Sequence, residues 1–207
     1  MERGTGVVVA YSDYVCPYCY LFEPALRRLR DDQDVALEYR ALELRPAPRP
    51  LPAPDDPGLG RKWRETVEPL ARRLGVDMHR PPYQPRTGKA HELAAFARER
   101  GRFDDVHDAL FRAFFVDGVD IGRIDVLVAV ADAVGLDADE AHRALGLDMY
   151  AERVAEDARA AEAHGVDRVP TLVHRSRLLI GLQPYDRLER WIEGAEAADV
   201  GSTTERS

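Results

Sequence analysis

Cysteine is nearly absent. The 207 residues hold only Cys16 and Cys19, so a disulfide scaffold is excluded. An excess of positive charge is missing too. The net charge of −8 leaves no electrostatic ground for binding nucleic acid or an anionic membrane surface. No apolar run reaches the ~18 residues of a membrane span. Residues 1–6 enter the first apolar segment almost at once, without the pattern of a cleavable leader, so the expected location is cytoplasmic. A second Cys-x-x-Cys and a spaced histidine pair are also lacking. The chain should therefore hold no structural zinc. His79, His91, His107, His142, His164 and His174 are scattered, and read as surface or helix-packing residues. The rest, 45% hydrophobic and 32% charged, suffices for one core, or for one domain with a sizeable insertion.

What is present is concentrated near the start. Val7, Val8 and Val9 open a short β-branched run that reads as a buried strand. Leu21, Phe22, Ala25, Leu26 and Leu29 then recur at helical spacing. Between them Cys16 suits the cap position and Pro17 the first helical position, where a missing N–H costs nothing. The strand thus delivers a Cys-x-x-Cys pair to a helix start. Free N–H groups and the helix dipole stabilise a thiolate there. Such settings bring a cysteine from near 8.5 to roughly 3.5–7.5. A thiolate attacks disulfides, and a second thiol three residues on can resolve the mixed disulfide. A structural disulfide or half a zinc site fits less well, for the reasons already given.

Residues 35–44 alternate as a second strand, and Pro24 should kink the intervening helix at Tyr20. Strand, helix and strand make a right-handed parallel unit. Residues 45–60 carry Pro46, Pro48, Pro50, Pro52, Pro54 and Pro57, a composition that predicts an extended connector and no helix. A helical block follows. Its apolar stripes are Trp63–Val67–Leu70–Leu74; Ala90–Leu93–Ala94–Ala97, with Thr87 as cap; Val106–Ala109–Leu110–Ala113–Phe114; and Ile124–Leu127–Val128–Ala131–Val134. Asp137 opens a capping-box pattern with Glu140, and a polar helix runs from about 149 to 164. Phe103, Phe111, Phe114 and Phe115 read as core more than as a pocket. Thr171–His174 and Arg177–Ile180 flank Arg175-Ser176 as a hairpin. Pro184 opens a last helix with Leu188, Trp191 and Ile192, and residues 198–207 read as a disordered tail.

The order is therefore βαβ, helices, then ββα: an α/β chain in which an all-helical insertion separates two halves of one sheet domain. Cys16-Pro17-Tyr18-Cys19 after a strand, and Val169-Pro170-Thr171 opening the hairpin, resemble the thioredoxin fold. With the inserted helices the chain resembles the DsbA family of thiol–disulfide oxidoreductases. The stretches Tyr11-Ser12-Asp13-Tyr14-Val15-Cys16-Pro17-Tyr18-Cys19, Leu42-Glu43-Leu44-Arg45-Pro46, Ala90-His91-Glu92-Leu93, Gly118-Val119-Asp120-Ile121 and Gly181-Leu182-Gln183-Pro184 are similar to its cytoplasmic FrnE-like branch. The domain boundaries that follow are 1–45 with 165–197 for the thioredoxin-like part, 46–60 for the connector and 61–164 for the helical insertion.

The resemblance implies that Cys16 is the exposed nucleophile and Cys19 the resolving thiol. It makes Pro17 and Tyr18 tuning residues and Pro170 a cis-proline facing the disulfide, with Val169 and Thr171 beside it as substrate-binding positions. The branch often has Trp in place of Tyr18 and Gly in place of Arg168. Further candidates are Asp13, as a loop cap or a charge near the thiols; Arg168, as an opposing charge; and His174, on the strand after the proline. No metal or organic cofactor is implied. Protein disulfides or small thiols are the expected partners, with glutathione admitted as a substrate. The alternative is a glutathione-dependent enzyme of the kappa-class transferase or 2-hydroxychromene-2-carboxylate isomerase type, relatives that typically carry Ser in place of the first cysteine. Oligomeric state is not assigned.

Overall fold

The computed structural model describes residues 6–194. The 198–207 tail, residues 1–5, and residues 195–197 of the second thioredoxin-like segment lie outside the described residues. Strand β1 (Val7–Ser12) pairs in parallel with β2 (Ala36–Ala41), from Val7↔Ala36 to Ser12↔Ala41. On its other side β1 runs antiparallel to β3 (Thr171–His174), with Tyr11 opposite Thr171. β4 (Arg177–Ile180) closes the sheet in the order β2-β1-β3-β4. Arg175 and Ser176 both take positive φ, 48° and 64°, as a two-residue type I′ turn demands.

Helix α1 (Pro17–Gln33) connects β1 to β2 and runs unbroken through Pro24. Its middle and end pack onto the sheet. Phe22, Leu26 and Leu29 meet Val8, Ala10, Leu172 and Leu179, with Leu188 and Trp191 of the last helix, α9 (Tyr185–Ile192). The start of α1 packs elsewhere. Tyr14, Val15, Cys16, Cys19 and Leu21 share one core with Leu93, Phe96, Leu110, Phe111, Phe114 and Leu127 of the helical block. The cysteine pair therefore lies where the sheet layer meets the helices.

The block comprises α2 (Pro57–Lys62), a π-helical turn (Trp63–Val67), α3 (Glu68–Leu74), α4 (Gly88–Glu99), α5 (Phe103–Phe115), α6 (Ile124–Ala133), α7 (Ala138–Gly146) and α8 (Ala151–Ala163). Three expectations need correction. The proline-rich segment does contain helix: α2 begins at Pro57, because proline at the first helical position gives up no bond and Asp56 caps the Leu59 N–H at 2.7 Å. Thr87 precedes α4, but its side chain makes no cap bond. Its backbone N–H instead meets the Glu43 carboxylate at 3.3 Å. β2 ends at Ala41, not at 44, since residues 42–44 leave the sheet to bond the loop before the cysteines. Asp137 does cap α7, accepting from the Glu140 N–H at 2.8 Å.

Candidate active site

Cys16 is the N-cap of α1, with extended backbone (φ −87°, ψ 111°), and its carbonyl accepts from the Cys19 N–H at 3.1 Å. Its own N–H donates to the Asp13 carbonyl at 3.0 Å, which fixes the turn ahead of the helix. Both cysteines are free thiols. The Cys16 thiol points across the site, its Sγ donating weakly to the Val169 carbonyl at 3.8 Å. The Val169–Pro170 peptide bond is cis. Thr171, next in line, is buried, and its hydroxyl donates to the Arg168 carbonyl at 2.8 Å. Val169 thus faces the Cys16 thiol, with the cis Pro170 and Thr171 next in the chain. Tyr18 is half-buried, with the Lys62 Nζ 5.3 Å from its ring centre.

The expected exposure of Cys16 is corrected: the residue is only 2% accessible. Tyr14, Val15 and the partly buried Tyr18, Val169 and Leu182 belong to the apolar cluster that encloses it. Cys19 is buried as well. Burial pushes its thiol well above the ordinary cysteine value, and the neighbouring Cys16 adds to the rise. The Asp13 backbone N–H and the Ser12 hydroxyl oppose it, although that hydroxyl makes no hydrogen bond of ordinary geometry. The inner sulfur therefore favours its proton.

Asp13 is fully buried. One carboxylate oxygen accepts from the Leu44 N–H at 2.7 Å; the other lies 3.4 Å from His91 Nε2, close but not aligned as a hydrogen bond. Asp13 therefore ties together three segments far apart in sequence: the cysteine loop, the end of β2 and the start of α4. Of the other candidates, Arg168 does not join the site. It pairs with Asp167 at 2.7 Å on an exposed loop. His174 is likewise elsewhere, at the opposite end of β3. Its Nδ1 lies 3.0 Å from the Val7 carbonyl and its ring lies against Trp191. Strand direction explains this, because β3 leaves the site at Thr171 and runs antiparallel to β1.

Residues not singled out from the sequence complete the site. Tyr14 Oη and His107 Nδ1 are 3.0 Å apart, and His107 Nε2 lies 3.3 Å from the Glu23 carboxylate. That carboxylate also accepts from the Tyr39 hydroxyl at 2.8 Å. Burial raises both phenols above their ordinary value, and the Glu23 charge adds to it. Two signals could have found this cluster. Glu23 is a charge amid the apolar side of α1, and His91 lies in the Ala90-His91-Glu92-Leu93 stretch. Among the described residues no group of three metal-ligating side chains gathers.

The description "DSBA-like thioredoxin domain" matches residues 7–193. The Bacillus subtilis (strain 168) protein YwbO is 32% identical over 189 residues, covering 89% of this chain and 94% of YwbO. A crystal structure described as a probable DsbA oxidoreductase from Streptomyces coelicolor has TM-score 0.74 at 28% identity, covering 93% of this chain and 92% of that one. A 2-hydroxychromene-2-carboxylate isomerase structure has TM-score 0.72 at 20% identity, covering 91% and 93%.

Proposed function

Because the chain belongs to the family of DSBA-like thioredoxin domains, we propose that it is a thiol–disulfide oxidoreductase working through Cys16 and Cys19. One observation carries this reading: the two free thiols head α1, and the Cys16 Sγ faces the Val169 carbonyl beside Pro170. Cys16, at the helix start, supplies the attacking thiolate. It displaces one sulfur of a substrate disulfide, which leaves as a thiolate and takes up a proton. The mixed disulfide is then opened when Cys19 loses its proton and attacks the Cys16 sulfur. The second substrate thiol is released and a Cys16–Cys19 disulfide remains. Two electrons pass from the cysteine pair to the substrate, and the oxidised form runs the same steps in reverse. Pro17 and Tyr18 tune the couple, and Val169, Pro170 and Thr171 hold an extended substrate. The substrates are protein disulfides or small thiols, glutathione included, and the setting is the cytoplasm, as in the FrnE-like branch.

Insulin reduction with a thiol donor tests the reading. Wild type accelerates it, Cys16→Ser abolishes the effect, and Cys19→Ser accumulates mixed disulfides detectable by mass. Equal activity of Cys16→Ser and wild type would sink the proposal. The likeness to the isomerase structure supports a second reading, a glutathione-dependent transferase or isomerase. Glutathione conjugation or isomerase turnover that survives Cys19→Ser would favour it.

A further inference from the structure

A cavity of ≈ 430 Å³ separates the β2 edge from α4, α5 and α8, within the range of about 300–1,000 Å³ typical of small-molecule sites. Ser12, Tyr14, His91 and His107 form its buried inner wall, whereas Arg98 and Met149 stand at an exposed rim. The thiol chemistry proposed for the cysteine pair uses none of its volume.

Three features define what the cavity fits. The first is an unspent positive charge. Arg40 is paired with Glu38 at 2.8 Å and Arg153 with Asp157 at 3.3 Å. Arg98, by contrast, has no carboxylate at ion-pair distance among the described residues. Its guanidinium carbon lies over the Phe103 ring, 3.9 Å from the centre, and the group gives one N–H to the Tyr39 carbonyl at 2.9 Å. That fixes its plane while leaving other N–H groups for a ligand. The acids on the wall are already engaged: Glu99 accepts from the Tyr150 hydroxyl at 2.5 Å, and Asp157 from the Ala41 N–H at 3.0 Å.

The second feature is flat apolar surface. The rings of Tyr14, Tyr39, Phe103 and Tyr150 line the cavity, and the Tyr14 and Tyr39 hydroxyls are held by His107 and Glu23. These walls are rigid and suited to a planar body. The third is depth: Ser12, His91 and His107 of the inner wall are all buried, so a bound ring would be largely out of water.

We propose that the cavity binds a small, flat organic carboxylate, its carboxylate on Arg98 and its ring against Tyr14 and Tyr39. The cavity shares Ser12 and Tyr14 with the surroundings of the cysteine pair, so binding is measured directly by titration and not by turnover. The probes are 1-naphthoate and phenylacetate, titrated calorimetrically into the full chain, with amide chemical shifts recorded in parallel. 1-Naphthoate should saturate one site and shift the amides of Ala41, Ala94, Ala95 and Val154. The neutral 1-naphthamide should bind about tenfold more weakly or worse, the loss expected for one charge-assisted contact. Arg98→Gln should show the same loss, and Arg98→Lys should recover part of it. Failure of both carboxylates to saturate, equal binding of the amide, or shifts confined to other surfaces would each overturn the proposal. If Arg98→Gln does not fold, the comparison of 1-naphthoate with its amide decides alone.

Discussion

Cys19 is the residue whose environment makes the plainest prediction. Burial favours its protonated form, so its folded value lies above that of an unfolded cysteine, about 8.5. Below that pH the contribution to stability is fully present. As pH rises from there towards the folded value, the folded state holds a proton that the unfolded state has released, and stability falls until the folded thiol ionises as well. The reduced protein should therefore lose stability as pH rises above about 8.5, and Cys19→Ser should remove this part of the slope. Thermal unfolding of both forms against pH checks it; identical slopes would count against a buried, proton-retaining thiol. Glu23 gives a second case. Its side chain is 6% accessible, accepts from the Tyr39 hydroxyl and lies 3.3 Å from His107 Nε2 without the alignment of a hydrogen bond. Glu23→Ala leaves the Tyr39 hydroxyl buried and unpaired, at a cost of about 1–3 kcal/mol. Urea unfolding of the variant should show the loss, and an unchanged midpoint would mean the cluster relaxes onto water.

At the scale of elements, caps separate bonds that exist from bonds that only sequence suggests. Asp56 and Asp137 each accept from the N–H three residues on, at 2.7 and 2.8 Å. Replacing either by Ala should cost about 0.5–2 kcal/mol and speed amide exchange in the first turn of α2 or α7. Thr87→Ala should not open the first turn of α4 in this way, because its side chain makes no cap bond. Equal loss of protection at all three helix starts would show that the static bonds do not govern fraying. The hairpin shows the limit of composition: Arg175 and Ser176 hold left-handed backbone that glycine or asparagine would take more readily, yet strand pairing on both sides fixes them there.

At the scale of the whole molecule, the helical block and the cysteine loop share one core. Phe111 is 1% accessible, with its ring centre 5.0 Å from that of Tyr14 and 5.4 Å from that of Tyr20. Tyr14 is in the cysteine loop and Tyr20 follows the pair on α1. Phe111→Ala should cost about 3–5 kcal/mol and lower the stability of sheet and helices together. Calorimetry should then give one cooperative transition at a reduced midpoint. Two transitions, with only one displaced, would mean that the halves fold independently. The same shared core bears on removal of residues 61–164, which would expose the apolar face around Tyr14, Val15 and Leu21. The remnant should bind a hydrophobic dye and lack near-ultraviolet dichroism if that face has nothing to cover it.

The sequence by itself determined the strand that carries a Cys-x-x-Cys to a helix start, the hairpin from Thr171 to Ile180, and most helices of the block. Those features are local: side-chain period, proline position and turn chemistry act over a few residues and leave their mark in order. Only the tertiary structure decided that Cys16 is enclosed, that Arg168 and His174 stand apart from it, and that Asp13 joins Leu44 and His91. It alone decided that Tyr14, Glu23, Tyr39 and His107 form one buried network. The separations give the reason. Asp13 and Leu44 are 31 residues apart, and Tyr14 and His107 are 93 apart. No local pattern reports such a contact, because it is set by how α1, α4 and α5 pack around the cysteine loop. The cavity has the same origin, as the space left where β2, α4, α5 and α8 meet without filling it.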